Sequence, residues 1–377
     1  MRFLSADFLF TLEGPPIKNG VLQITNEGKV LDVFNDRTLF SNDKLELFSG
    51  IITPGFVNSH CHLELSHMHN QCKSSAGLID FINNIRKRNE SDMHAINKAI
   101  SHAEKKMIEN GIVAVGDICN TNHTIKQKSK RNLLYYSFIE GFCIHDYDVE
   151  RKIRNLTLLK EEFRLKNLNA TIVPHAPYSV TPTFLKSINN LFDKKDKLVS
   201  IHFNETESEK EFFKFKTGDL FEYFRNMSAS DELWNFRRSL NDVLMEISFK
   251  NKLLVHNTYS TIFDMRDYYY CTCPKANLYI EGVLPNYNIF DKDKLCVGTD
   301  SLASNDSLSV LEEIYIVQEN SAFDLNSLLK ISSKNGAKAL GFKHLGSFKK
   351  GKKPGVLLIK GIQDFKIQKN SIVRRSD

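Results

Sequence analysis

Residues 50–62 read Gly50-Ile51-Ile52-Thr53-Pro54-Gly55-Phe56-Val57-Asn58-Ser59-His60-Cys61-His62. An apolar run over 51–60 ends on two histidines spaced i, i+2. Along a strand, residues two apart project to the same face. His60 and His62 are therefore half of a candidate metal site at a strand end, and they direct the search for the other half.

Further apolar runs lie at 112–117, 133–140, 170–175, 198–203, 253–256, 269–273 and 295–300. With 51–60 they make eight candidate strands. Helical periodicity occupies intervals at 76–110, 208–226, 232–250 and 325–340. In the first, Ile79, Ile82, Ile85, Ile96, Ile100 and Met107 recur at helical spacing, and Gly111 is placed to end it. This alternation predicts an α/β fold. A parallel barrel is the expected arrangement, and an open doubly wound sheet is the alternative with the same pattern.

Polar residues able to bind a metal recur where these strands end. His175 closes the fourth run, His202 the fifth, His256 the sixth and Asp300 the eighth. In a barrel the C-terminal strand ends converge on one mouth. A single histidine at such a place is more often a satisfied polar residue than a ligand. Four placements anchored by His-x-His point instead to a metal, and imidazoles with one carboxylate suit Zn²⁺ or Fe²⁺. His67-Met68-His69 lies beyond the strand without a nearby carboxylate and reads as loop. Cys271-Thr272-Cys273 lacks the Cys-x-x-Cys spacing of a zinc site and reads as buried strand.

The chain ends differ from the middle. Ala6–Phe10, Val21–Ile24 and Lys29–Val33 read as short strands between turns, as do Leu345–Phe348 and Gly355–Ile359, so the two ends are expected to share a small β unit. The predicted division is 1–50 and 343–377 for that unit and 51–342 for the larger one.

Of the 377 residues 41% are hydrophobic and 25% charged, which excludes a disordered chain. Lys+Arg number 51 against Asp+Glu 45, a formal charge of +6. Much of the excess sits in Lys349, Lys350, Lys352, Lys353, Arg374 and Arg375, which read as a solvated basic tail rather than a nucleic-acid surface. No run approaches the roughly 18 apolar residues of a membrane span, so no membrane partner is expected. The N-terminus lacks the pattern of a signal peptide. The seven cysteines show no disulfide framework, and reduced thiols in a cytoplasmic protein are expected.

Five motifs in order carry a resemblance. They are Pro54–His62, Pro174-His175-Ala176-Pro177-Tyr178-Ser179, His202-Phe203-Asn204-Glu205-Thr206, Val255-His256-Asn257 and Gly298-Thr299-Asp300-Ser301-Leu302-Ala303-Ser304-Asn305. Over nearly its whole length the chain resembles the amidohydrolase superfamily, in its branch of metal-dependent deaminases and chlorohydrolases. It is most similar there to methylthioadenosine/S-adenosylhomocysteine deaminases and aminodeoxyfutalosine deaminases.

The resemblance implies a (β/α)₈ TIM-type barrel with a small β-sandwich made by both termini. It implies that His60, His62, His202 and Asp300 bind one divalent metal ion, Zn²⁺ or alternatively Fe²⁺. Glu205 is then the proton shuttle, His256 polarises the attacked group or orients the water, and Asp300 accepts the water proton. His175, Ser304 and Asn305 are placed at the substrate side. Glu64 either touches substrate or forms a salt bridge. Binuclear relatives carry a lysine on the fourth strand; Ala170–His175 has none, which implies a mononuclear site. A homodimer is also implied.

The expected function is hydrolytic deamination of an adenosine-like nucleoside or related heteroaromatic amine. Two other readings stand beside it. One is hydrolysis of an amide, cyclic amide or carbon–halogen bond on the same scaffold. The other is a non-catalytic metal- or ligand-binding protein. A shuttle at Glu205 favours deamination, because it reaches a ring nitrogen. The filled ligand positions speak against a retired enzyme.

Overall fold

In the computed structural model, residues 1–74, 77–194, 196, 198–234 and 238–376 are described. Eight parallel strands form its centre: β1 (Phe56–Cys61), β2 (Ile112–Cys119), β3 (Leu134–Gly141), β4 (Asn169–Pro174), β5 (Val199–Phe203), β6 (Lys252–His256), β7 (Tyr269–Thr272) and β8 (Leu295–Val297). They lie in two four-stranded sheets, β1 to β4 and β5 to β8, with each strand beside its neighbour in sequence. Parallel strands covered on both faces are apolar throughout, and every residue of β1, β2, β5, β6 and β8 is buried.

Backbone hydrogen bonds connect the two sheets at both edges. His202 N donates to His175 O at 2.9 Å on one side. Thr299 N and Asp300 N donate to His60 O at 3.0 and 3.1 Å on the other. The side chain of Asn58 reinforces the second contact: its Oδ1 accepts from Thr299 N (3.0 Å) and its Nδ2 donates to Thr299 Oγ1 (2.7 Å).

The apolar run over 51–60 is two strands. Ile51–Pro54 pairs with Val356–Lys360 and Phe8–Leu9, and the parallel strand begins only at Phe56. Gly55 makes the transition. A Cβ there would meet Val113 Cγ1 at 2.4 Å and Pro354 O at 2.7 Å. The terminal segments make two small sheets, one ordered Val30–Phe34, Val21–Ile24, Arg2–Ser5, Glu46–Leu47, the other Ile372–Arg375, Val356–Lys360, Ile51–Pro54, Phe8–Leu9, Ile17–Lys18. Leu4, Leu22 and Val30 from the first pack with Ile52, Val356 and Leu358 from the second. Residues 345–348 form no strand, contrary to expectation; Phe348 N instead donates to Thr11 O at 3.0 Å.

Helices are shorter than the periodicity suggests. The interval 76–110 divides into α1 (Gly77–Ile85), a 3₁₀ segment (Arg86–Glu90) and α2 (Met93–Glu109); residue 76 lies outside the described residues. Asp92 caps α2 by accepting from His94 N and Ala95 N, a stronger local start than continuing the helix through Ser91. Ile96, Ile100, Ala103 and Met107 form the buried stripe of α2, and Gly111 follows in the left-handed region at φ +79°. The interval 208–226 breaks into α3 (Glu207–Phe215) and α4 (Asp219–Asn226) around Lys216 (φ +57°) and Gly218 (φ +88°). In 232–250 only α5 (Leu240–Glu246) is an α-helix, and 235–237 lie outside the described residues. No helix among the described residues is long and apolar enough to cross a membrane.

Candidate active site

His60, in β1, and His62, just past it, direct both imidazoles to one point. Their Nε2 atoms are 3.1 Å apart, and Asp300 Oδ1 lies 3.5 Å from the first and 3.3 Å from the second. Asp300 reaches them because β8 approaches β1 closely at Gly298, where a Cβ would meet His60 O at 2.7 Å. His202, at the end of β5, completes a trio with donor atoms within 4.8 Å of one another, and His60, His256 and Asp300 form a second such trio.

The hydrogen bonds set the tautomers. His202 Nδ1 donates to the carbonyl oxygen of His175 (2.9 Å), which leaves Nε2 as a lone pair. His256 Nδ1 donates in the same way to Asn277 Oδ1 at 2.8 Å. Burial lowers the pKa of His60 to about 3 and also lowers His62 and His256, so neutral imidazoles face the site. Burial alone would raise the Asp300 carboxyl, yet His60, His62 and His256 hold it well below the usual range. Imidazole nitrogens packed this closely around a buried, ionised carboxylate are a donor set that fits a divalent cation.

The backbone is strained where these side chains converge. Asn204, His256, Asn257 and Asp300 have φ of +49°, +71°, +56° and +56°. Left-handed non-glycine residues cost about 1–3 kcal/mol each and persist where surrounding structure holds them. Asn204 turns the chain after β5, so that Glu205 faces the same cavity as His202.

Glu205 is buried, and its Oε1 is 3.5 Å from His256 Nε2. Burial raises its pKa to about 7; His202 opposes the rise, and Asp300, Glu281 and Glu140 add to it. His175 follows β4 with its Nδ1 2.8 Å from Ser179 Oγ. A cavity of about 300 Å³ opens over these groups, lined by His62, His175, His202, Glu205, His256 and Asp300 and by an apolar wall.

Three residues for which a place at the substrate side is expected or weighed do not line the cavity. Glu64 does not line the cavity: its Oε1 accepts from Asn120 N (3.1 Å), and its Oε2 accepts from Thr121 N (3.0 Å) and Oγ1 (2.7 Å). It ties the turn after β2. Ser304 donates to Asp300 Oδ2 at 2.5 Å. Asn305 Nδ2 donates to Thr299 O and Glu313 Oε1, both at 2.8 Å. Both residues stand behind Asp300. His67 joins Glu64 O and Arg88 O through its two ring nitrogens, within a 3₁₀ segment (Leu63–Met68) rather than a loop.

Sequence reasoning missed Glu140 and Asn120. Glu140 lines the cavity from the end of β3, 3.4 Å from His202 Nδ1, and Asn120 Nδ2 donates to its Oε2 at 3.1 Å. Burial would raise the Glu140 pKa, but His175, His202, His62 and Asn120 together lower it to about 2. The run 133–140 ends on this carboxylate, so the strand-end argument that selects His175 and His202 selects Glu140 as well. Asn120 carries no comparable signal.

The chain is similar to known proteins in sequence and in fold. Residues 51–374 match a family model described as "Amidohydrolase family". A Helicobacter pylori protein named adenosine deaminase is 25% identical over 312 residues, covering 78% of this chain and 75% of that protein. The crystal structure of Helicobacter pylori aminofutalosine deaminase with methylthio-coformycin superposes with a TM-score of 0.83 at 20% identity, covering 98% of this chain and 94% of that one. An adenosine deaminase from Xanthomonas campestris, solved with bound zinc, gives a TM-score of 0.69 at 17% identity, covering 95% and 84%.

Proposed function

The chain belongs to the amidohydrolase family, and on that premise we propose that it is a metal-dependent deaminase of an adenosine-like nucleoside or related heteroaromatic amine. One observation carries this reading. Glu205, a buried carboxyl titrating near 7, faces the same cavity as the His60, His62, His202 and Asp300 donor set. A proton donor beside such a set is what loss of an amine from an aromatic ring requires. The relatives named as adenosine and aminofutalosine deaminases support the same chemistry.

In this reading His60, His62, His202 and Asp300 hold one divalent ion. Three imidazole nitrogens and one carboxylate favour Zn²⁺, with Fe²⁺ as the other ion such ligands accept. When bound, the ion supplies the Lewis acidity that makes hydroxide available near neutral pH. The neutral Nε2 of His256 orients the attacking water. Asp300 Oδ1 accepts its proton. Glu205 delivers its proton to the ring nitrogen as the ring carbon becomes tetrahedral; the proton held by Asp300 then passes to the departing amine, ammonia leaves, and the new hydroxyl returns its proton to Glu205 as it becomes the carbonyl. His175 and Glu140 line the space beside the ring.

We propose further that the eight parallel strands close into a (β/α)₈ barrel, supported by the hydrogen bonds at both sheet edges. The terminal segments then form a small sandwich whose first part runs to Pro54 and whose second begins near residue 343. The seven free, buried cysteines support a reducing, cytoplasmic setting.

The test is ammonia release by metal-loaded protein across adenosine, methylthioadenosine, S-adenosylhomocysteine, aminodeoxyfutalosine, adenine, guanine and cytosine. Release from a nucleoside, lost in Glu205→Gln with metal content unchanged, is the expected result. Ammonia from none of them, with metal bound, overturns deamination and returns the chain to hydrolysis of another bond.

A further inference from the structure

Leu78, Phe81, Ile82 and Ile85 of α1 recur at i, i+3, i+4 and i+7, which puts them on one helix face. The corresponding stripe of α2 is buried in the core. In α1 the stripe lines the active-site cavity instead, with Tyr223 and Phe224 of α4 and Met227 just past it. Of the nine residues of α1 only Leu78 is buried.

The helix is held at its flanks rather than along its length. Before it, Tyr279 Oη donates to Cys72 O at 2.6 Å; after it, His67 Nε2 lies 2.8 Å from Arg88 O. Among the described residues, no backbone hydrogen bond joins Gly77–Ile85 to another element. The side-chain ties are long. Tyr223 Oη donates to Asn83 Oδ1 at 3.3 Å. Just past the helix, the Arg86 guanidinium rests 5.4 Å from the centre of the Tyr223 ring, with Nη2 3.4 Å from Met227 Sδ.

Both ends of this segment can turn. Gly77 has φ +80°, a conformation natural to glycine, and no atom lies within 4 Å of where a Cβ would stand. At the far end the 3₁₀ segment stops at an extended Ser91, and α2 starts afresh on the Asp92 cap. Gly218, ahead of α4 at φ +88°, is different: a Cβ there would collide with Glu211 Oε2. α4 is therefore the fixed side of the cavity and α1 the movable one.

Elements with little burial and few ties are the ones from which lids are drawn. We propose that α1 is a lid over the active site. It swings between the anchors at Cys72 and Arg88, opens to admit substrate, and lays its apolar stripe over the bound molecule for the chemical step. The motion belongs to the fold; that a nucleoside passes beneath it rests on the deaminase reading.

The experiment is amide hydrogen exchange read by mass spectrometry on the metal-loaded protein. In the free protein, the amides of 77–85 are expected to exchange about tenfold or more faster than those of the α2 stripe. Methylthioadenosine or adenosine bound to Glu205→Gln should slow 77–85 and leave α2 unchanged. Asn83→Ala removes a tie at an exposed residue that does not line the cavity. It should speed exchange across 77–85 and raise KM about two- to tenfold, with kcat equal to wild type or higher. Exchange in α1 as slow as in α2 overturns the lid whatever the substrate. Fast exchange that a bound nucleoside does not slow, or a loss of kcat at unchanged KM in Asn83→Ala, overturns closure over substrate while leaving deamination standing. Failure of every nucleoside to bind overturns the deaminase reading instead, and the exchange of the free protein then decides the lid by itself.

Discussion

Glu205 Oε1 lies 3.5 Å from His256 Nε2, and each residue is held from behind by a buried partner. Glu209 Oε2 accepts the Glu205 backbone N–H at 2.9 Å, and Asn277 accepts the His256 Nδ1–H at 2.8 Å. The pair is a buried carboxyl and a neutral imidazole facing one cavity. Their different protonation follows from burial, which raises a carboxyl and lowers an imidazole.

If Glu205 must carry its proton to act, activity has an alkaline limb. A pKa raised to about 7 means that the acid form dominates below that pH and is lost above it. A bound cation favours the ionised form and draws the limb to lower pH. The kcat/KM profile should therefore fall with rising pH through a midpoint at or below about 7, and Glu205→Gln should lower kcat by roughly 10²–10⁴. A flat profile from pH 6 to 9 would contradict the assignment.

Ser304→Ala separates support of the metal from contact with substrate. Its hydroxyl donates to Asp300 Oδ2 and does not line the cavity. Loss of a hydrogen bond to a ligating carboxylate typically costs about 10–100-fold in metal affinity. Competition with a metal chelator should show that loss, while KM at saturating metal stays near the wild-type value. A raised KM with unchanged metal affinity would restore Ser304 to the substrate side.

Behind His62, Asp117 Oδ1 accepts the backbone N–H of Leu63 at 2.8 Å, and its Oδ2 is 2.6 Å from Lys128 Nζ. Both side chains are fully buried. Removing one partner of such a pair leaves a charge uncompensated, so Lys128→Met should lower unfolding stability by about 3–5 kcal/mol. Adding Asp117→Asn should recover part of that loss in chemical denaturation. A double variant no more stable than Lys128→Met would show that the ion pair is not what the single change breaks.

Glu209 predicts a pH-dependent stability. Burial raises its carboxyl from an ordinary 4.5 to about 8. A folded-state pKa above the unfolded one contributes stability that is complete below 4.5 and lost as pH climbs through about 8. Gln at this position keeps an oxygen for the Glu205 N–H and has no proton to lose. The Tm of Glu209→Gln should therefore gain on wild type as pH rises from 5 to 8 and then level off. A Tm difference that does not change with pH would remove the titration from the explanation.

Much of this arrangement can be read along the chain, because it is written in local terms. The ends of β1, β5 and β6 carry His60, His202 and His256, while His175 and Asp300 lie just beyond β4 and β8. Strand alternation and the apolar runs place them without reference to anything distant. The same logic reaches Glu140 once the end of 133–140 is weighed like the others. Helix limits were harder to see. The break at Asp92 comes from a cap and the break at Gly218 from backbone conformation, and neither disturbs apolar periodicity.

The sequence by itself determined which residue types stand at each strand end, and so the candidate metal-donor set, because strand period and side-chain type are properties of a short segment. Only the tertiary structure decided which of them meet. Glu64, two residues past His62, turns to a backbone it can satisfy only when β1 and β2 are adjacent. Ser304 stands behind Asp300 because the chain after β8 folds back on itself. Arg86 and Arg88 face the cavity because α1 packs against α4, about 140 residues away. Contacts of that kind depend on chain closure over long separations, and no local pattern encodes them.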